Sequence, residues 1–230
     1  SGHIGLGAEK NNALVCMTTG FLATDKMDAV FTGVPAHAGA DPEKGRNALL
    51  AAAQAAISLH TIARHSEGVS RINVGVLEAG TGRNVIPANA RIKFETRGST
   101  AKINDYMASE AKRMVKAAAD LYGVQVEILP MGSATASGSD ADMGQEIYDL
   151  IKPLNVYKEL KLEDQVGGSE DCCYFMSRVQ SHGGKAVYML YGTELEAGHH
   201  QSDFDFNEDV LPRTAFTITY LVKHFGNKAK

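Results

Sequence analysis

Cysteine is scarce in this 230-residue sequence, with only Cys16, Cys172 and Cys173. An odd number of thiols, two of them neighbours, suggests neither a disulfide framework nor a C-x-x-C metal knuckle; a reducing cytoplasm fits such usage. Nor is there an excess of basic charge, with 23 Lys and Arg against 27 Asp and Glu. With a net charge of -4, a pI near 6.1 and no Lys/Arg run interleaved with aromatics, the chain has no stripe for a phosphate backbone, and nucleic acid is not an expected partner. Long apolar runs are missing too. The most apolar stretch, ALLAAAQAAISL at 48–59, is too short for a bilayer and is broken by Gln54 and Ser58, so no membrane partner is expected. The opening residues, SGHIGLGAEKNN, lack the basic start and apolar core of a signal peptide. What is present is ordinary for a soluble globular protein: 44% hydrophobic and 22% charged residues, enough to bury a core in one large domain or two small ones.

Periodicity organises the middle of the chain. KMDAVFTG, 26–33, reads as a strand, and the loop VPAHAGADPEKG leads into a helix from about Arg46 to His65, opened by Asp41-Pro42 and stopped near Gly68. Its expected apolar face is Leu49, Leu50, Ala53, Ala56, Ile57 and His60. RINVGVLEAG, 71–80, alternates Ile72, Val74 and Val76 against polar or small positions. ARIKFETR does so more cleanly, with Ala90, Ile92, Phe94 and Thr96 on one side and Arg91, Lys93, Glu95 and Arg97 on the other. Thr100 can cap a helix carrying Ile103, Met107, Met114, Ala118 and Leu121 and ending at Gly123, and VQVEIL, 124–129, is a further strand. The order β-α-β-β-α-β predicts a ferredoxin-like two-layer unit.

Elsewhere the pattern changes. Ser133 to Asp142 reads as a linker; then come helices near 143–151 and 169–179, the strand KAVYMLYG and a last helix over about 208–225, with one or two strands in the first 24 residues. Helix, strand, helix is α/β grammar, here interrupted by the central unit and with too few strands for a complete doubly wound sheet. We therefore expect an α/β fold with part of its α/β domain absent.

Several constellations could carry chemistry. In AGHHQSDFDFNED the His199–His200 pair follows a strand and precedes a helix, where open α/β sheets place ligands. Adjacent side chains on extended backbone point opposite ways, so at most one should bind a given metal. In GGSED, Ser169 can cap a helix with Glu170 and Asp171 in its first turn, and the simplest reading of these residues is that cap. His37 in AHAG sits among small residues that allow close approach, although a lone loop histidine is more often surface than catalytic. Arg97 is a natural carboxylate clamp, or else a solvated arginine. Cys172 and Cys173 can be proposed as thiol nucleophiles, but vicinal cysteines in a helix are more often packing residues.

Together FTGVPAHAG, PEKGRNALL, NVGVLEAGTGRNVIP, FETRG, GGSED and HHQSDFDFNED resemble the co-catalytic zinc amidohydrolase and peptidase family of aminoacylases, carboxypeptidase G and the indole-acetyl-amino-acid hydrolases. The resemblance runs in order from about residue 3 to residue 211. It implies a catalytic α/β domain formed by 1–24 and 133–230, holding two divalent ions, zinc or manganese, and a ferredoxin-like lid over 25–132 that makes a homodimer. By position, His200 resembles the C-terminal metal ligand and His199 is its neighbour, assigned to substrate. His37 resembles the lid histidine that reaches the partner subunit's site and polarises the scissile carbonyl. Asn84 in NVIP and Arg97 resemble lid residues that hold the substrate's carboxylate, and Glu170 resembles an acid near the metal.

The family's HxD ligands, bridging Asp and Glu-Glu pair find no counterpart here. The resemblance thus implies a cytoplasmic metallo-amidohydrolase for an N-acyl or N-aroyl amino acid such as p-aminobenzoyl-glutamate, present as a fragment that binds little or no metal and is inactive alone. The competing expectation is a non-catalytic dimerisation or ligand-binding protein derived from the lid. A cysteine hydrolase built on Cys172 or Cys173 is the third and least favoured.

Overall fold

A computed structural model describes residues 1–5, 11–199 and 201–228. Its elements are β1 (Gly2–Ile4), β2 (Ala13–Thr19), β3 (Ala23–Thr32), α1 (Ala48–His60), β4 (Ser70–Ala79), β5 (Asn89–Gly98), α2 (Ala101–Tyr122), β6 (Gln125–Ala134), α3 (Ala141–Ile151), β7 (Glu159–Gln165), α4 (Cys172–Ser181), β8 (Met189–Tyr191) and α5 (Val210–Lys228). They form two compact units. The first comprises Ser1–Phe21, Ser137–Gly168 and Cys172–Lys230, the second Leu22–Ala136 with Ser169–Asp171.

In the first unit the sheet order is β1-β8-β2-β7. β2 reads ALVCMTT and is buried at all but its last residue, as a strand covered on both faces must be. Its alternation divides two cores: Leu14 and Cys16 join Ile147, Ile151, Tyr191 and Leu221, whereas Val15 joins Cys173, Met176 and Leu190. α3 and α5 therefore cover one face and α4 the other. Sequence reading missed β7, whose ELKLEDQ alternates two leucines with charges; it pairs parallel with β2. The strand expected over KAVYMLYG is only Met189–Tyr191, which pairs parallel with β1 and antiparallel with β2.

The second unit is a four-stranded antiparallel sheet, order β4-β5-β3-β6, built by the element order β3-α1-β4-β5-α2-β6. Both helices lie on one face. Ala29, Phe31, Ile92 and Phe94 of the sheet meet Ala51, Ala52 and Ala55 of α1 and Met107, Ala111 and Val115 of α2. α2 begins where expected, the Thr100 hydroxyl accepting a hydrogen bond from the Ile103 amide at 3.2 Å, and it ends at Gly123 in the left-handed region. Thr100→Ala should cost about 1 kcal/mol, read as a lower urea midpoint, with Thr100→Ser close to wild type.

Four expectations need correction. α1 starts at Ala48, capped by the Asn47 side chain, and ends at His60; Asp41-Pro42 instead opens a separate 3-10 turn at Pro42–Lys44. Its buried face is Ala48, Ala51, Ala52, Ala55 and Leu59, the reverse of the one expected, because small side chains let the helix lie close to the sheet; Leu50 is 44% and Ile57 65% exposed. On α2, Leu121 is solvent-facing. In β4 a bulge at Gly75 shifts the register between Val74 and Val76, so Leu77, opposite Ile92, takes the helix-covered face instead of Val76.

Candidate active site

In the first unit the double-histidine loop leaves β8 at Tyr191. Gly192 is fixed by donating to the Ala13 carbonyl at 2.8 Å, and Leu195 forms a bridge with Phe206. The His199 ring packs against Phe204, centroids 5.0 Å apart, and meets the His3 ring edge-on at 5.2 Å. His3 was overlooked in the sequence because one histidine in a glycine-rich opening carries no spacing signal. The parallel register Gly2↔Met189 to Ile4↔Tyr191 is what brings it beside the loop after β8.

Both imidazoles have the donor chemistry a divalent ion requires. Nδ1–H of His3 donates to the Ile4 carbonyl at 2.7 Å, which fixes the tautomer with the Nε2 lone pair free, the arrangement usual for metal-binding histidines. Nε2 of His199 is buried with no hydrogen-bond partner among the described residues. An unpartnered buried nitrogen is costly, and a cation nearby would satisfy it. His200 lies outside the described residues, among which no group of three or more His, Cys, Asp or Glu is set to hold a metal.

In the second unit His37 and Asn84 come together. The 33–47 and 80–88 loops are pinned by the His37↔Val85 bridge, by the Ala38 amide donating to the Asn84 carbonyl at 2.9 Å and by the Ile86 amide donating to the Ala36 carbonyl at 2.9 Å. Gly33 makes this possible: a Cβ there would lie 2.0 Å from the Arg46 carbonyl oxygen. The exposed His37 ring is oriented by its own loop, Nδ1 accepting from the amides of Gly39 at 3.2 Å and Ala40 at 3.1 Å. In the neutral ring the proton is therefore on Nε2, pointing a donor away from the loop.

Arg97 lies on the face of β5 opposite the helices, in a polar cleft of about 550 Å³ lined also by Arg64, Ser70, Arg71, Asn73 and Glu95. Its fork is engaged by Glu95, Nε to Oε1 at 2.9 Å and Nη2 to Oε2 at 3.2 Å. A substrate carboxylate would have to displace Glu95 or bind beside it.

Glu170 is half-buried in the stretch before α4, which starts only at Cys172. Ser169 is not the helix cap expected, since its hydroxyl is buried without a partner. The thiols do not form a nucleophile site: Cys173 is buried, Cys172 donates to the Ser1 hydroxyl at 3.0 Å, and burial pushes the Cys16 thiol up to about 12.

Residues 24–123 match the family described as peptidase dimerisation domain, M20_dimer. The match falls on the central unit, and the similarity to curated relatives extends along nearly the whole chain. The chain is 48% identical over 224 residues to indole-3-acetyl-aspartic acid hydrolase of Enterobacter agglomerans, covering 97% of this chain and 51% of that protein. It is 47% identical, with the same coverage, to a p-aminobenzoyl-glutamate hydrolase subunit from Escherichia coli K12. Among solved structures, the aminobenzoyl-glutamate utilization protein from Klebsiella pneumoniae superposes with a TM-score of 0.78 at 46% identity, covering 84% of this chain and 49% of that one. The chain spans about half the length of the curated relatives it matches.

Proposed function

We propose that the chain is the lid and C-terminal portion of a metal-dependent amidohydrolase that cleaves the amide bond of an N-acyl or N-aroyl amino acid such as p-aminobenzoyl-glutamate. Residues 1–24 and 133–230 belong to its catalytic α/β domain; 25–132 form a ferredoxin-like lid through which two copies pair. No helix among the described residues is long and apolar enough to cross a membrane, and the proposed setting is the cytoplasm. An apolar groove of about 420 Å³ in the first unit, bordered by Met143, Phe175, Val179, Ile218 and Val222, is a surface the rest of the catalytic domain would cover.

The observation that carries the reading is the imidazole corner, where His3 presents a free Nε2 beside the unpartnered Nε2 of His199. His3 and one histidine of the adjacent pair, His200 by the resemblance, would hold the metal, and Glu170 is the acid that the resemblance assigns to it. A divalent ion, zinc or manganese, supplies Lewis acidity that lowers the pKa of water and polarises a carbonyl. The chain's own contribution is positioning. His37, reaching the site of the partner subunit, would donate from Nε2–H to the carbonyl oxygen as negative charge develops there, and Asn84 and Arg97 would hold the substrate's carboxylate.

The test joins this chain to the preceding half of the Escherichia coli relative. The fusion should release p-aminobenzoate in a metal-dependent way that His200→Ala abolishes, and the 230-residue chain alone should release none. A metal-loaded, folded fusion without activity would sink the hydrolase reading; activity of the chain alone would sink the fragment reading.

A further inference from the structure

The open face of the central unit's sheet, the one away from the helices, carries unbalanced charge at one end. Arg71 of β4 stands directly opposite Arg97 of β5, and Asn73 opposite Glu95. Ile72, the next residue of β4, is in the core beneath the helices, so Arg71 projects to the other face, as Arg97 does. Side chains facing each other across an antiparallel pair start only about 5 Å apart, where like charges repel and weaken the sheet. From the segment after α1, Arg64 lines the same cleft of about 550 Å³.

Neutralisation there is incomplete. Glu95 is the only carboxylate among the described residues that line the cleft, and both its oxygens accept from Arg97, Oε1 from Nε at 2.9 Å and Oε2 from Nη2 at 3.2 Å. On its other side Glu95 is paired with Lys26 of β3, which adds a further cation. Among the described residues neither Arg64 nor Arg71 has an ion-pair partner. The cleft thus holds three guanidinium groups against one carboxylate, and Ser70 and Asn73 add neutral polar groups to its wall. A carboxylate matches a guanidinium fork, and one placed between Arg71 and Arg97 would turn a repulsive cross-strand pair into a bridged one.

We propose that Arg71, with Arg64, reads a second carboxylate on the substrate: the side-chain carboxylate of an acidic amino acid whose α-carboxylate is held at Arg97. The inference rests on the reading of the chain as part of an N-acyl amino acid hydrolase and adds the residues through which that hydrolase selects its amino acid. The two acid groups of aspartate or glutamate lie about 4–5 Å apart, close to the spacing of facing side chains across β4 and β5. One ligand can therefore span Arg71 and Arg97 together. Glu95 sharpens the choice. Because it already neutralises Arg97, a ligand with a single carboxylate gains little by entering, whereas one with two also meets the unneutralised Arg71 and Arg64. When the α-carboxylate takes the Arg97 fork, the displaced Glu95 has Lys26 as its cross-strand neighbour.

The test compares two nearly isosteric substrates in the fusion described above, p-aminobenzoyl-glutamate and p-aminobenzoyl-glutamine, which differ by one charge. Wild type should favour the glutamate compound by about thirtyfold in kcat/KM, within the range set by a hydrogen bond to a charged group. Arg71→Gln should bring that ratio below about threefold, the loss falling on the glutamate compound and mainly on its KM. Arg71→Lys keeps the charge but not the fork and should fall between, and Arg64→Gln should lower the ratio by a smaller factor. Because Arg71→Gln also removes a like-charge pair, its urea midpoint should stay level or rise, which a structural role would not produce. An equal loss on both compounds, or a wild type indifferent to the difference between them, would overturn the proposal. A folded, metal-loaded fusion that cleaves neither would sink the hydrolase reading alone, and equilibrium titration of that fusion with the two compounds then decides. About tenfold tighter binding of the glutamate compound, lost in Arg71→Gln, would uphold the site; equal affinities, or a preference that survives Arg71→Gln, would overturn it.

Discussion

His37→Ala in the active fusion should lower kcat by about 10²–10³-fold while leaving KM within a few-fold, the loss typical of removing one donor to a developing oxyanion. The basis is the way the ring is held. Two successive amides, of Gly39 and Ala40, donate to Nδ1, so the neutral ring keeps its proton on Nε2 without help from substrate. The interaction strengthens as the carbonyl oxygen gains charge, which is why the effect should fall on kcat. His37→Asn retains an N–H donor near the same place and should recover part of the loss. Equal loss in kcat/KM through KM alone would mean that His37 only binds substrate, and an unchanged kcat would remove it from the proposed chemistry.

Arg91→Ala should destabilise the central unit by about 2–3 kcal/mol. Asp28 lies on β3, an inner strand, with its side chain only 6% exposed, and Arg91 from β5 reaches it with two N–H groups, Nε at 3.0 Å from Oδ2 and Nη2 to the same oxygen. Truncating the arginine strands a buried carboxylate. The expected cost falls below that of a fully enclosed pair because Arg91 is itself 39% exposed. Adding Asp28→Asn to Arg91→Ala should return part of the loss, since a neutral amide is cheaper to leave unpaired than a charge. The readout is the urea midpoint of the central unit; a shift under about 0.5 kcal/mol would show that water already serves Asp28.

The parts legible in the sequence were those where one local rule decides. β5 shows its buried side because every second residue is apolar, and Thr100 and Gly123 bracket α2 because their side-chain chemistry suits those positions and no others nearby. α1 was readable as a helix but not by face. Large apolar residues suggest the core, yet helix-on-sheet distance is set by whichever side can come closest, and that side is alanine. The Gly75 bulge was hidden because inserting one residue leaves the composition of a strand unchanged while flipping everything after it. At the site, the double histidine stood out by itself, while His3 acquires a partner only through a strand pairing about 190 residues away in sequence. The engagement of Arg97 by Glu95, two positions back on the same strand face, follows from the alternation already visible in ARIKFETR.

The central unit's two ends lie side by side. Thr24 at its entry is paired with Ala134 at its exit, and just outside them Phe21 bridges Ser137. To the surrounding unit, everything between is equivalent to the tip of a hairpin. Closing that loop is done by the inserted unit's own folding, so its length adds almost nothing to the entropy the outer sheet must overcome. The chain can therefore be cut there and resealed with a short glycine-rich splice, and each piece should still assemble, which makes the insertion a cassette that can be lengthened, exchanged or removed without redesigning its host.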